Sequence, residues 1–196
     1  MAASRRVVVA VTVRMPGLLH DVLGEYQTRL ELAIVGIFGG GVTAVLLTTH
    51  RQVLVDVPMW RTAIAALLIA DVAAGSAANL TRGTSRYYAV RPRNRLTFIA
   101  VHVHLLAIAL LVGSPLGYAA LVWAYTILTA FVVNGLQRSE LQTLVGGVAL
   151  ALGALIVVAL TPRLGPMVAA VAALFVMKVT FAFAVDHYRD AQEEVR

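Results

Sequence analysis

The chain has 196 residues, 60% of them hydrophobic and only 13% charged, with a formal net charge of +6 and no cysteine. A soluble domain carries roughly twice that charged fraction, so an ordinary soluble globular protein is excluded. The missing cysteines exclude disulfides, thiolate metal sites and cysteine nucleophiles.

Fifteen of the sixteen basic residues are arginine and one is Lys178. The arginines gather at the ends of apolar stretches, which suits orientation signals and contacts with anionic lipid headgroups. That distribution is not the footprint of a nucleic-acid binder. The expected surroundings are therefore a lipid bilayer and its anionic headgroups, with no nucleic acid.

In chain order, Val7 to Val13 is too short to cross a bilayer, is interrupted by Arg14 and lacks a following small-residue cleavage signal, so no removable signal peptide is expected. From Pro16 to Glu31, Leu19, Val22, Leu23, Tyr26 and Leu30 recur at helical spacing, with Asp21, Glu25 and Gln27 between them. This pattern predicts either an amphipathic interfacial helix or a cytoplasmic extension of the first span.

Six stretches then reach the roughly 20 apolar residues that a bilayer demands. They cover about 32–49, 62–80, 96–112, 116–136, 141–161 and 166–185. Short connections with turn signals separate several of them, including Gly113-Ser114-Pro115 and Thr161 to Pro166. The predicted fold is all-α: a single polytopic bundle over 32–185, with an interfacial arm over 1–31 and a tail over 186–196.

Arg82, Arg86, Arg91, Arg93 and Arg95 all lie between the second and third stretches, which places that loop in the cytoplasm. Alternation then puts both termini on the same side, where Arg5, Arg6, Arg14, Arg29, Arg189 and Arg196 add to the bias. Only Arg51, Arg61 and Arg163 fall outside. The expected location is the plasma (cytoplasmic) membrane. Small residues recur every four positions at Gly36, Gly40 and Ala44, and at Thr143, Gly147 and Ala151. Such stripes let helix backbones approach closely, and packing within one chain is the expected use, with a homodimer as the alternative.

The chemistry resides in the polar residues of the spans. Asp71, Gly75, Asn79 and Arg82 share one helical face, and Lys178, Ala182, Asp186 and Arg189 repeat the same offsets on the sixth stretch. Asp71 and Lys178 fall at about 14 Å and 11 Å from their inner ends, so two opposite charges share one depth. Since a lone charge near the bilayer centre costs on the order of 3 kcal/mol, the two are expected to pair, although Lys178 could instead snorkel to the interface.

His102 and His104, about 200° apart on a continuous helix, would face different sides and could hardly share one metal, and none is expected there. With Asn79, Asn134, Asp186 and His187, these residues map to the cytoplasmic half and suggest a polar cavity open to that side. No phosphate loop, His-Glu-x-x-His or other enzyme motif is present, and the sequence leaves the cofactor unknown. A retinal Schiff base at Lys178 is disfavoured by six spans and 7% aromatics. The leading expectation is a small transporter or channel built around Asp71 and Lys178. The alternatives are a membrane enzyme acting on a lipid or isoprenoid, with Asp71 and the histidines as acid–base groups, and a structural subunit.

Overall fold

A computed structural model of the chain describes residues 12–188. Arg5, Arg6, Arg189, Arg196 and most of the Val7–Val13 stretch lie outside the described residues.

The arm before the first long helix is not one amphipathic helix. Strand β1 (Thr12–Arg14) pairs antiparallel with β2 (Tyr26–Thr28), and a 3-10 turn and a single helical turn, α1 (His20–Leu23), fill the connection. Two local signals break the expected helix. Gly24 adopts φ 71°, and a Cβ there would overlap the backbone of Gly83, so the chain must turn away at that point. Thr28 then caps the next helix: its hydroxyl accepts from the Glu31 amide (3.1 Å), while the Glu31 carboxylate accepts from the Thr28 amide (2.8 Å). Gln27, expected on the polar face, is instead 1% exposed, donating to the hydroxyls of Thr81 and Thr84.

Helix α2 (Arg29–Thr49) leads to α3 (Met59–Ala78), and a short α4 (Arg82–Ala89) follows. The third stretch is divided into α5 (Pro92–Ala100) and α6 (His104–Leu111). Then come α7 (Leu116–Gly135), α8 (Gln142–Leu164) and α9 (Pro166–Val176), the last continuing as a π-helix over Met177–Phe183. Counting α5–α6 and α9 with its π-helix as one each, six helical stretches among the described residues are long and apolar enough to cross a membrane.

Their ends alternate. At one end Tyr188 donates to the Leu80 carbonyl (2.8 Å) and the Asp186 amide to Gln142 (3.1 Å). At the other, Ser114 donates to the Leu164 carbonyl (3.0 Å) and Arg61 to the Leu110 carbonyl. The first end carries the β-pair, α4 and the arginine loop.

The stretch Pro166–Phe183 is the centre of the bundle, with 67% of its most apolar window buried, against 17% for α2. Close packing uses small residues other than those expected. Gly39 rests on Ala74, and Gly146 and Gly153 receive Val185 and Val176. Gly36, Gly40 and Gly147 meet nothing within 4 Å, and Ala44, Thr143 and Ala151 are exposed. The two stripes therefore face away from the chain's own bundle, because a stripe offset by one to three residues already serves the internal contacts.

Candidate functional site

Lys178 occupies the first turn of the π-helix and is 3% exposed, so it does not snorkel. It lies along the α3 face formed by Asp71, Gly75 and Asn79. Its Nζ donates to Asp71 Oδ2 at 2.6 Å and to the Asp71 carbonyl at 3.3 Å. A Cβ on Gly75 would overlap Lys178 Cε, so the glycine provides the seat for the lysine stem. One turn further on, Asn79 Nδ2 donates to the Lys178 carbonyl at 3.4 Å. A π-turn displaces backbone carbonyls from the regular ladder, and this side-chain donor meets one of them.

Asp71 also faces α6. His104 Nε2 lies 3.5 Å from Asp71 Oδ2, the same oxygen that accepts from Lys178. The Asp71 side chain remains 32% exposed, whereas Lys178 is enclosed.

The two histidines do not sit on a continuous helix, and that overturns the expected 200° separation. Between Ala100 and His104 the helix is broken. His102 Nδ1–H donates to the Phe98 carbonyl (2.5 Å), taking the acceptor that a regular helix would give to the His102 amide. The freed His102 carbonyl accepts from Trp123 Nε1 (2.8 Å). The break brings the two imidazoles to 5.2 Å between centroids. His102 is held between Phe98 (4.0 Å) and Phe175 (6.4 Å).

The carbonyl on Nδ1 leaves His102 Nε2 as a bare acceptor in the neutral ring, and the carboxylate on His104 Nε2 leaves Nδ1 likewise. Both of these nitrogens are buried and, among the described residues, lack a hydrogen-bond partner. The site thus combines a carboxylate contested by an ammonium and an imidazole with two imidazole lone pairs free to accept. Among the described residues, no group of three or more His, Asp or Glu side chains is placed to hold a metal.

The other residues expected in one cavity form a separate cluster at the arginine-rich end. Arg95, expected at the headgroups, is 2% exposed and donates to the carbonyls of Phe183 (3.0 Å) and Ala184 (2.8 Å). With its amide oxygen turned inward, Gln137 accepts from Arg95 Nε (3.0 Å) and Nη1 (2.9 Å). Gln142, which sequence reasoning did not single out, joins three helices. It donates to the carbonyls of Val133 (3.2 Å) and Ala184 (2.9 Å) and accepts from the Asp186 amide.

Asn134 lines a cleft with Arg95 and Arg138, and its Oδ1 is buried with no partner among the described residues. The Asp186 carboxylate accepts from the Tyr188 amide (3.2 Å). His187 Nε2–H donates to the Phe181 carbonyl (3.1 Å), and burial pushes its imidazole below the ordinary value.

Tyr87 and Tyr88 lie on α4. Both anchor the N-terminal arm, donating to the Asp21 carboxylate (2.9 Å) and the Asp21 carbonyl (2.8 Å) respectively. Burial first, and Asp21 second, push the Tyr88 phenol above its usual range. Arg91 pairs with Glu25 (2.7 Å), and Arg82, Arg86 and Arg93 remain exposed.

No protein-family model matches the chain, and neither a curated protein nor a solved structure matches it.

Proposed function

We propose that the chain is a small integral membrane transporter coupled to protons, with Asp71 and Lys178 as its coupling pair. The observation that carries this reading is the double claim on Asp71 Oδ2, by Lys178 Nζ at 2.6 Å and by His104 Nε2 at 3.5 Å. A static ion pair gains little over an apolar replacement and needs no second donor. A carboxylate shared between an ammonium and an imidazole has two alternative partners, as a site that loads and unloads a proton requires. Proton arrival at Asp71 would remove its charge and free Lys178, with His104 as the adjacent proton donor or acceptor.

Two features of the backbone support this reading. A discontinuous helix at membrane depth typically lines a binding site or pathway. π-helical turns also concentrate at functional positions. Here a broken α5–α6 and a π-helix flank the same pair.

The arginine-rich end is assigned to the cytoplasm and the membrane to the plasma membrane, with the lysine pair reached from that side. Because the chain has no cysteine, single substitutions give a clean topology test. Arg93→Cys should resist a membrane-impermeant thiol reagent on intact cells, and Gln52→Cys at the opposite end should react. The reverse pattern would invert the orientation.

Coupling is tested with purified protein in liposomes carrying a pH-sensitive dye and a proton gradient. Wild type should move protons, and Asp71→Asn, which keeps the shape but not the titratable charge, should not. Equal flux in both forms would refute Asp71 as the coupling group. The half-exposed Asp71 beside two imidazoles also suits acid–base chemistry on a lipid. Consumption of a lipid or isoprenoid substrate by flux-silent wild-type vesicles would favour that enzyme reading.

A further inference from the structure

A second site lies at the arginine-rich end, separate from the Asp71–Lys178 pair. Between α4 and the β-pair is a pocket of about 450 Å³ lined by Arg82, Arg86, Val90 and Arg91 on one wall and Glu25, Tyr26 and Glu31 on the other. Arg82, Arg86 and Val90 are spaced by four, so they form one face of α4 and its first residue beyond.

The acids of this pocket are already engaged. Glu25 is paired with Arg91, whose guanidinium is further fixed by the Tyr87 carbonyl (2.9 Å) and stacks over the Tyr87 ring at 4.1 Å. Glu31 is held by Thr28 in the helix cap. Arg82 lies over the Tyr188 ring at 5.3 Å, and among the described residues neither it nor Arg86 has a carboxylate partner. Three arginines against two glutamates leave one excess positive charge, presented by two guanidiniums on one wall.

Two of the lining side chains, Val90 and Tyr26, present exposed apolar surface. Val90 is 73% exposed and Tyr26 50%. Along α2, the helix that brings Glu31 to the pocket, Leu30, Ile34 and Ile37 form an exposed stripe. Paired guanidiniums recognise phosphate oxygens through charge-assisted, often bidentate hydrogen bonds. A single excess charge balances a phosphodiester, which carries one negative charge. An exposed apolar track leading away from the phosphate position suits acyl chains.

We propose that this pocket binds a phosphate ester through Arg82 and Arg86, and that the ester is the headgroup of an anionic phospholipid whose chains lie along α2. The site rests on the membrane placement proposed above but not on transport. Failure of membrane placement would already show as recovery of the chain in the soluble fraction.

The test is native mass spectrometry of the purified full chain released from delipidated micelles, titrated in parallel with phosphatidylglycerol, phosphatidylcholine and soluble glycerol 3-phosphate. Wild type should retain phosphatidylglycerol in preference to phosphatidylcholine. The double change Arg82→Gln, Arg86→Gln should weaken that retention by about tenfold for each arginine removed. Arg51→Gln with Arg163→Gln, at the opposite end, should leave it intact. Arg86 is exposed and without an ion-pair partner among the described residues, so Arg86→Gln alone provides a variant expected to fold.

Binding of glycerol 3-phosphate but not of phosphatidylglycerol, lost in the arginine variants, would keep the phosphate site and overturn the lipid as its ligand. Equal retention of the two lipids, or phosphatidylglycerol binding indifferent to Arg82 and Arg86, would overturn the site itself.

Discussion

Among the described residues two cations are buried, in two regions, and they are satisfied in opposite ways. Arg95, at the arginine-rich end, is 2% exposed, and its hydrogen-bond acceptors among the described residues are neutral: two backbone carbonyls at the end of the π-helix and the amide oxygen of Gln137. Lys178, at the start of that π-helix, is 3% exposed and meets a carboxylate that is itself 32% exposed and within 3.5 Å of an imidazole. Arg95 therefore has a fixed set of acceptors, whose hydrogen-bonding capacity does not change with pH. Lys178 has a partner that can change charge and is reachable by another donor. The first arrangement is a clamp and the second can switch.

The largest expected effect comes from separating the Asp71–Lys178 pair. Asp71→Leu leaves a buried ammonium uncompensated and should cost roughly 3–5 kcal/mol by analogy with buried pairs, whereas Lys178→Met should cost less, because the carboxylate is partly exposed and keeps His104 within 3.5 Å. The double change should be milder than either single one, because two neutral side chains replace two charges. Thermal unfolding in lipid nanodiscs measures this directly. Additive losses would show that the two residues are uncoupled and that the contrast with Arg95 does not hold.

Arg95 should behave differently. Arg95→Leu is expected to cost about 3 kcal/mol, at about 1.5 kcal/mol for each of two acceptors left without the guanidinium, the Phe183 carbonyl and the Gln137 amide oxygen, since Gln142 still supplies Ala184. No carboxylate substitution should rescue it. Combining it with Asp186→Asn leaves the loss unchanged if Arg95 is a clamp on carbonyls. Recovery in that double variant would reveal an ion pair and place both cations in one class.

Much of the first region was legible in the sequence. Asp71, Gly75 and Asn79 share one face by spacing alone, and matching depths brought Lys178 to them. What could not be read was the break at 101–103. No proline or glycine marks it, and its cause is a side chain: the His102 ring takes the Phe98 carbonyl. The second region was less legible. Arg95 looks like its neighbours Arg91 and Arg93 in a charged loop, and only the tertiary position of the Phe183 and Ala184 carbonyls draws it inward. The N-terminal arm held a signal that was present but unused. Thr28 and Glu31 have the spacing of a capping box, which starts a helix at Arg29 and argues against one running through it.

A smaller effect sharpens the difference in how the two cations are seated. Gly75→Ala places a methyl group against the Lys178 stem and should cost about 1–3 kcal/mol through overpacking. In an Asp71→Leu, Lys178→Ala background that conflict disappears, and the alanine should be neutral or stabilising by up to about 1 kcal/mol from helix propensity. Unfolding midpoints of the two Gly75→Ala variants, each against its own parent, give the comparison. An equal penalty in both would mean that Gly75 is needed for some contact other than Lys178.

The smallest expected effect concerns pH at the clamp. His187 stands beside this region, outside the helices long enough to cross a membrane. Burial depresses its imidazole most, and Arg95 adds to that, against the raising effects of the Phe181 carbonyl and Asp186. The folded value thus lies below the ordinary 6.5 of the unfolded chain. Above 6.5 the neutral ring is matched in both states and its full contribution to stability is present. As pH falls from 6.5 toward the depressed folded value, the unfolded chain takes up a proton that the folded chain refuses, and stability declines. His187→Asn removes this titration and should flatten that limb of the melting profile while leaving proton flux at neutral pH as in wild type. If the clamp is static and the proposed proton transport holds, the two pH dependences separate: stability follows His187, and flux follows Asp71. A His187→Asn variant that instead lost flux would show that the two regions act as one site.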